Sequence, residues 1–362
     1  MIIKYISLFF IFLANLSFAN YQFETIASNL DDPWSFDFLN NDKIIFTEQP
    51  GKIKIITVSS GEISEVSGVP KVQYASQGGL SEIVLDPDFE KNNTLYLSYS
   101  ALNENGKSTL FLMSAELNNN SLVDKKIIFE AVAYRRVPIH LGAKIDFLSD
   151  GTILLTSGDG FDFKEKAQNL DNHFGKILRI NKDGSIPSDN PFVRNENALP
   201  EIYSYGHRNM QGLVVMGDGK IYEHEHGPRG GDEFNLVEAG KNFGWPAITY
   251  GIDYSGAVIS PFTKMDGMEQ PLKYWVPSIA PSDMIYYEGD LYPDLKNSFL
   301  ITALVSRDVR KLRISENGIS EESLFKELKS RLRSIGASPK GEIYLLTDGR
   351  RGKLLKLVNT EQ

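Results

Sequence analysis

The segment Lys144-Ile-Asp-Phe147, Ser149-Asp150-Gly151, Ile153-Leu-Leu-Thr156 reads as two short strands joined by a tight polar turn. Asp-Gly accepts the positive φ of a hairpin turn, and the flanking runs are rich in apolar and β-branched residues. The unit recurs in both directions along the chain. Upstream it is Trp34-Ser-Phe-Asp-Phe38, Asn40-Asn41-Asp42, Ile44-Ile-Phe-Thr47, then Glu82-Ile-Val-Leu-Asp86, Lys91-Asn92-Asn93, Leu95-Tyr-Leu-Ser98. Downstream come Gly212-Leu-Val-Val-Met216 with Asp218-Gly219 and Lys220-Ile-Tyr-Glu223, and a degenerate copy, Asp283 to Tyr287 with Ser298 to Thr302. The last is Ser334 to Ser338, Lys340-Gly341, Ile343 to Thr347. Six copies roughly 45–70 residues apart predict an all-β, six-bladed β-propeller with inserted loops, an open stack of the same hairpins being the competitor. Further strands follow the hairpins at Gly51–Ile56, Ser108–Met113 and Gly352–Leu357 and read as the outer strands of blades.

The first residues carry one Lys, an apolar run from Tyr5 to Leu13, and small residues Ser17 and Ala19, the pattern of a secretory signal peptide. That reading gives a leader over 1–19, cleavage after Ala19 and one propeller domain over 20–362, periplasmic or secreted and not inserted in a membrane. The chain has no Cys, so a large core rather than disulfides must carry its stability. A net charge of -9 with no basic block argues against nucleic acid as a partner.

Irregular stretches rich in Gly, Pro and Asn span Gly158–Asn172, Ser185–Leu199 and Glu225–Pro281, and are expected to crown one face of the central channel. The densest polar segment is Tyr205-Gly-His-Arg-Asn-Met-Gln-Gly212, followed by Glu225-His-Gly-Pro-Arg-Gly-Gly-Asp-Glu233 and Asn242-Phe-Gly-Trp-Pro246. The glycines allow close approach of backbone to a ligand, and the carbonyls of Gly227 and Pro228 are hard-oxygen candidates for calcium. By itself Gly-Pro-Arg-Gly-Gly reads as a turn before it reads as a ligand site.

These segments, with Gln77-Gly-Gly-Leu80, Gly267-Met-Glu-Gln-Pro271, Pro277-Ser-Ile-Ala-Pro-Ser282 and Arg331-Leu-Arg333, resemble the soluble pyrroloquinoline-quinone-dependent aldose sugar dehydrogenases, the glucose/sorbosone dehydrogenase family. The resemblance follows the family's order over almost the whole mature chain. It implies a six-bladed propeller holding the quinone in its hub, with aldose sugars oxidised at C1 to the lactone and electrons passed to a periplasmic acceptor. It implies His140 as the base that takes the anomeric hydroxyl proton, a task suited to an imidazole near neutral pH. Arg208 matches the arginine that polarises the reacting quinone carbonyl, Asn209 the residue that orients the same edge, and Gln77 a polar residue beside the base. Arg331 and Arg333 match the cofactor's carboxylate clamps, and strand alternation would set both on one face. One calcium is implied at the carbonyls of Gly227 and Pro228. A second is implied at Asp253, Glu269 and the backbone oxygens of Thr249 and Gly251.

Two positions depart from the family pattern. Ile139 stands where an acidic residue often precedes the base, which removes one candidate partner for it. Val305 replaces a lysine that faces the quinone, leaving Arg307 or Arg310 as possible substitutes. The glucose-specific aromatic residues have no match in Pro277–Met284, which points to a cleft open to several aldoses. A cofactor-free binding propeller and a calcium-dependent, lactonase-like hydrolase are the alternatives to a dehydrogenase.

Overall fold

Six four-stranded antiparallel sheets stand around a central axis in the computed structural model, which describes residues 21–360. The proposed leader and cleavage site lie outside those residues. Among the described residues, no helix is long and apolar enough to cross a membrane. The first strands of the six blades, Pro33–Phe38, Leu80–Leu85, Gly142–Phe147, Met210–Val215, Pro281–Tyr287 and Leu332–Ala337, pack against one another and line the channel. All six repeats read from the sequence are blades. The runs read as outer strands are third strands, each covered by a further one such as Ile63–Val66 or Ser121–Glu130. The sixth blade takes its outermost strand from the other end of the chain: Tyr21–Leu30 pairs with Gly352–Asn359 and closes the ring.

Apolar alternation explains the interfaces between blades. Ile45, Ile53, Leu80, Leu95 and Leu97 interlock between the first two blades, and equivalent clusters fill the other seams. Polar groups of the inner strands complete the joints. Asp37 Oδ2 accepts from the Leu85 N–H at 2.8 Å, Asp146 Oδ2 from Val215 at 2.7 Å, and Asp283 Oδ2 from Ile335 at 3.1 Å. Aspartates of blades one, three and five thus each bond the backbone of the next blade.

In the channel, Lys144 Nζ donates to Glu82 Oε1 at 2.8 Å and to Asp283 Oδ1 at 2.7 Å, joining blades two, three and five. Burial works against the ammonium, but the two carboxylates outweigh it and raise its pKa. Lys144→Met leaves two buried carboxylates without their cation. Removing one partner of such a group is expected to cost about 3 kcal/mol, near the low end of its range because Ser334 and Ile335 still donate to Asp283. Guanidinium unfolding would show the loss; an unchanged midpoint would mean the cluster adds nothing.

Chain direction then separates two faces. In an antiparallel blade the loop entering the first strand and the loop leaving the second lie at the same end. Gln77, His140, Arg208 and Arg331 precede first strands, while Asp159, Gly227, Val305 and Asp348 follow second strands, so all eight gather on one face. The Asp-Gly turns lie on the other. Ser185–Leu199, expected on the site face, links the third and fourth strands of blade three; Asp189 and Asn190 there bond Arg179, beside Asp150 of the far turn. Glu225–Pro281 is not all irregular, since it contains the strands Asp232–Val237 and Lys273–Trp275. The link between them climbs the edge of blade three, pairing Asn242 with Tyr205, and delivers Trp245 and Tyr254 to the site face.

Candidate active site

Every first strand carries a register shift near its start: Pro33/Phe36, Leu80/Ile83, Gly142/Ile145, Met210/Gly212, Pro281/Asp283 and Leu332/Ser334. Bulges re-aim side chains and end regular pairing, so a ring of them loosens the inner wall at the depth where a ligand would sit. Arg333 falls inside one bulge and Arg331 lies just before the strand, so strand alternation is not what sets them together. Asp348 is. Its Oδ2 accepts from Arg331 Nε at 2.7 Å, and its Oδ1 accepts from Arg333 Nε and Nη2 at 2.9 and 2.6 Å. Burial would raise the Asp348 pKa, but the charge of Arg333 and the bonds to both guanidiniums hold it below the usual range. Arg333 also lies 4.2 Å over the ring of Trp34. Two cations thus share this carboxylate.

This pair borders a central cavity of about 420 Å³ together with Gln77, Asn209, His226 and Val305. Val305 is 60% exposed and offers it only an apolar surface. Neither arginine considered as its substitute lines this space. Arg310 is engaged by Asp308 and Glu321 at 2.9 Å each, and Arg307 is exposed in a left-handed turn at φ 56°. A second carboxylate, Asp32, lines the same cavity and accepts from the Tyr74 hydroxyl at 2.6 Å.

His140 is buried and does not itself line the cavity, although its neighbour Leu141 does. Its backbone N–H donates to Gln77 Oε1 at 2.9 Å and helps hold a φ of 46°. Its Nδ1 lies 2.8 Å from Asp159 Oδ1. A carboxylate accepts, so the ring proton belongs on Nδ1 and the Nε2 lone pair stays free. Burial lowers the imidazole pKa and the Asp159 bond opposes that only partly, keeping the ring neutral at pH 7. Asp159 is itself clamped, accepting from Trp245 Nε1 at 2.7 Å and from the Phe161 N–H at 2.9 Å. The sequence reading left the base without an acidic partner because Ile139 precedes it. The partner comes from the loop after the second strand of the same blade, in Ser157-Gly-Asp-Gly160. An Asp between glycines at a strand end was the available signal.

Arg208 borders a second cavity of about 280 Å³ together with Asp159, Trp245, Pro228 and Asp253. Arg331 and Arg333 thus line one space and Arg208 the other, while His140 lines neither directly, its neighbour Leu141 bordering the first and its partner Asp159 the second; the single well anticipated is not formed. Arg208 Nη1 donates to the carbonyls of His226 and Gly227 at 2.9 and 2.7 Å, and its guanidinium lies 5.2 Å over Trp245. Its Nε is buried and, among the described residues, has no acceptor. Asn209 Oδ1 accepts from the Gly142 N–H at 3.2 Å, fixing the neighbouring edge.

The calcium positions fit less well. The Gly227 oxygen already accepts from Arg208. Asp253 Oδ1 is occupied by Ser255, and Glu269 pairs with Lys241 at 2.9 Å. The Thr249 side chain accepts from the Gly251 N–H, and a Cβ on Gly251 would stand 2.2 Å from the Gly230 oxygen. These contacts tie a tight loop. Carboxyl groups gather behind Arg208 instead, where His207, Glu223 and Glu225 bring ligand atoms within 4.8 Å of one another. Burial raises Glu225 well above its usual range, and Glu233 nearby to about 8. A gap of about 10 Å³ between Glu225, Glu233, Gly227 and Thr249 has room for one water-sized species. The sequence reading missed this cluster, although Glu223-His-Glu225 inside a strand was its mark.

Residues 30–356 match the model of the Glucose / Sorbosone dehydrogenase family. The chain belongs to that family. It is 35% identical to the aldose sugar dehydrogenase YliI of Escherichia coli over 94% of this chain and 93% of that one. It is 30% identical to the quinoprotein glucose dehydrogenase B of Acinetobacter calcoaceticus over 66% of this chain and 55% of that protein. The apo-form crystal structure of the soluble E. coli aldose sugar dehydrogenase superposes with a TM-score of 0.90 at 33% identity, covering 94% of this chain and all of the other.

Proposed function

We propose that this family member is a periplasmic, pyrroloquinoline-quinone-dependent aldose dehydrogenase that oxidises sugars at C1 to the lactone. The observation that carries the reading is a carboxylate-oriented His140, whose chain neighbour Leu141 lines the cavity that Arg331 and Arg333 also line. The donors suit a flat polyanion. Arg331 and Arg333 would hold its carboxylates, Asn209 and Gln77 its polar edge. A carbonyl oxygen at Arg208 would satisfy the unpartnered Nε, a group that otherwise costs about 1–3 kcal/mol buried. Calcium at Gly227 and Pro228 would require Arg208 to release the Gly227 carbonyl, so no step is drawn through it.

When bound, the quinone supplies a two-electron oxidant that accepts hydride. The chain's own residues do the remainder. His140 Nε2 takes the C1 hydroxyl proton as the C–H bond breaks, and Asp159 stabilises the resulting imidazolium. Trp245 and the Phe161 N–H keep Asp159 from turning away. Arg208 would face the carbonyl on which negative charge grows, and its attraction would then be stronger in the transition state than in the ground state. Lys144 engages both channel carboxylates, Glu82 and Asp283, and so competes there with the metal that a lactonase-like hydrolase would need.

The test is to add quinone to the purified chain, with and without calcium, and follow dye reduction by aldoses across pH. Turnover should appear and kcat/KM should fall on the acid side. Only the deprotonated imidazole accepts the proton, and burial lowers its pKa, so the midpoint is expected below the ordinary 6.5. No spectral change with quinone and no dye reduction would favour the cofactor-free binding propeller.

A further inference from the structure

The second cavity is larger than Arg208 and Asp159 require, and its outer wall is aromatic. Phe161 and Tyr254 border it from two separate loops, with ring centroids 6.4 Å apart and planes within 22° of parallel. Both rings face water, 43% and 58% exposed, whereas few other aromatic residues among those described are exposed. Phe161 also adopts φ 66°, a conformation that bulky side chains avoid. The bond from its N–H to Asp159 holds it there, and its ring meets His140 edge-on at 5.2 Å. Tyr254 sits on a fixed turn: Asp253 Oδ1 accepts from Ser255 N–H and Oγ, and the Asp253 and Ala257 backbones pair at 2.9 Å. An exposed aromatic in a strained backbone, touching the base and matched by a second ring on a rigid turn, is a binding feature rather than core.

We infer that Phe161 and Tyr254 form a second saccharide subsite, which receives the sugar ring glycosidically linked to the one reacting at His140. A pyranose presents an apolar C–H face that packs on aromatic rings, while its hydroxyls seek polar groups at the edge. Asp162, Lys164 and Asp253 supply that edge here. Disaccharides and longer aldoses are therefore held better than monosaccharides. The placement of the reacting ring rests on His140 being the base; the aromatic subsite itself does not.

Quinone-free protein should be titrated with glucose, maltose and cellobiose by calorimetry at millimolar sugar. The wild type should hold at least one disaccharide more tightly than glucose. Phe161→Gly is tolerated by φ 66° and keeps the N–H that Asp159 uses, so the variant should fold. It should lower the ratio of disaccharide to glucose affinity roughly five- to tenfold, and Tyr254→Ser should act in the same direction. In loaded enzyme the ratio of kcat/KM values should fall in parallel. A wild type with no disaccharide preference, or an unaltered ratio in both variants, would overturn the subsite. Preferential binding without oxidation of any sugar after quinone loading would sink the dehydrogenase reading and leave the subsite standing.

Discussion

Replacing His140 by Ala should lower kcat about 10²- to 10⁴-fold at neutral pH while quinone loading stays near that of the unaltered chain. The expectation follows from the separation of roles in the site. His140 is tied to Gln77 and Asp159, whereas the cations of the cavity belong to Arg331 and Arg333 on another blade. Deleting the imidazole removes a proton acceptor and leaves the clamp in place. Asp159→Asn should produce a smaller loss with a different signature. An amide can offer Nδ1 its oxygen, but it lacks the charge that stabilises the imidazolium, and its NH2 competes for the same position. Its kcat should fall with little change in KM. Rapid-mixing measurement of quinone reduction by glucose would check both variants. A full-rate reduction step in His140→Ala would remove the histidine from the mechanism.

The scaffold was legible because each blade repeats a local signal. Turns such as Asp150-Gly151 and Asp218-Gly219 need positive φ, and the strands beside them alternate apolar residues, so six blades could be found without long-range information. Closure by Tyr21–Leu30 was not visible, because pairing between residues more than 300 positions apart leaves no local mark. The site divides in the same way. Arg208, Asn209 and His140 lie in or beside distinctive motifs. Their partners do not: Asp159 and Asp348 are single carboxylates in short loops, and only the antiparallel geometry brings them to the face that His140 and Arg331 occupy. The bulges had no sequence mark either, and without them Arg331 and Arg333 would be placed together for the wrong reason. Asp253 and Glu269 show the converse, since matching residue types were present but Ser255 and Lys241 engage them.

Arg331→Ala combined with Arg333→Ala should weaken quinone binding about 10²- to 10³-fold, read as a Kd by fluorescence titration. Charge-assisted hydrogen bonds to a carboxylate contribute roughly 1.5–3 kcal/mol each. The two sites are unequal: the Arg333 side chain is 10% exposed and stacked on Trp34, whereas Arg331 is 45% exposed and screened by solvent. Arg333 should therefore carry more of the loss, and the Arg331 share should shrink as salt is added. Val305 supplies no cation on its side of the cavity, which leaves the pair without a nearby substitute. One alternative origin of the effect is repulsion from an exposed Asp348 charge. In the intact chain the arginines keep that carboxyl ionised against burial; once they are gone burial alone acts and pushes it toward the neutral acid. The weakening should then come from lost attraction, so adding Asp348→Asn to the double variant should not restore binding. In the otherwise unaltered chain, Asp348→Asn frees both guanidiniums of their counter-ion and should preserve or tighten loading. An unchanged Kd in the double variant would place the quinone's carboxylates elsewhere on the ring of blades.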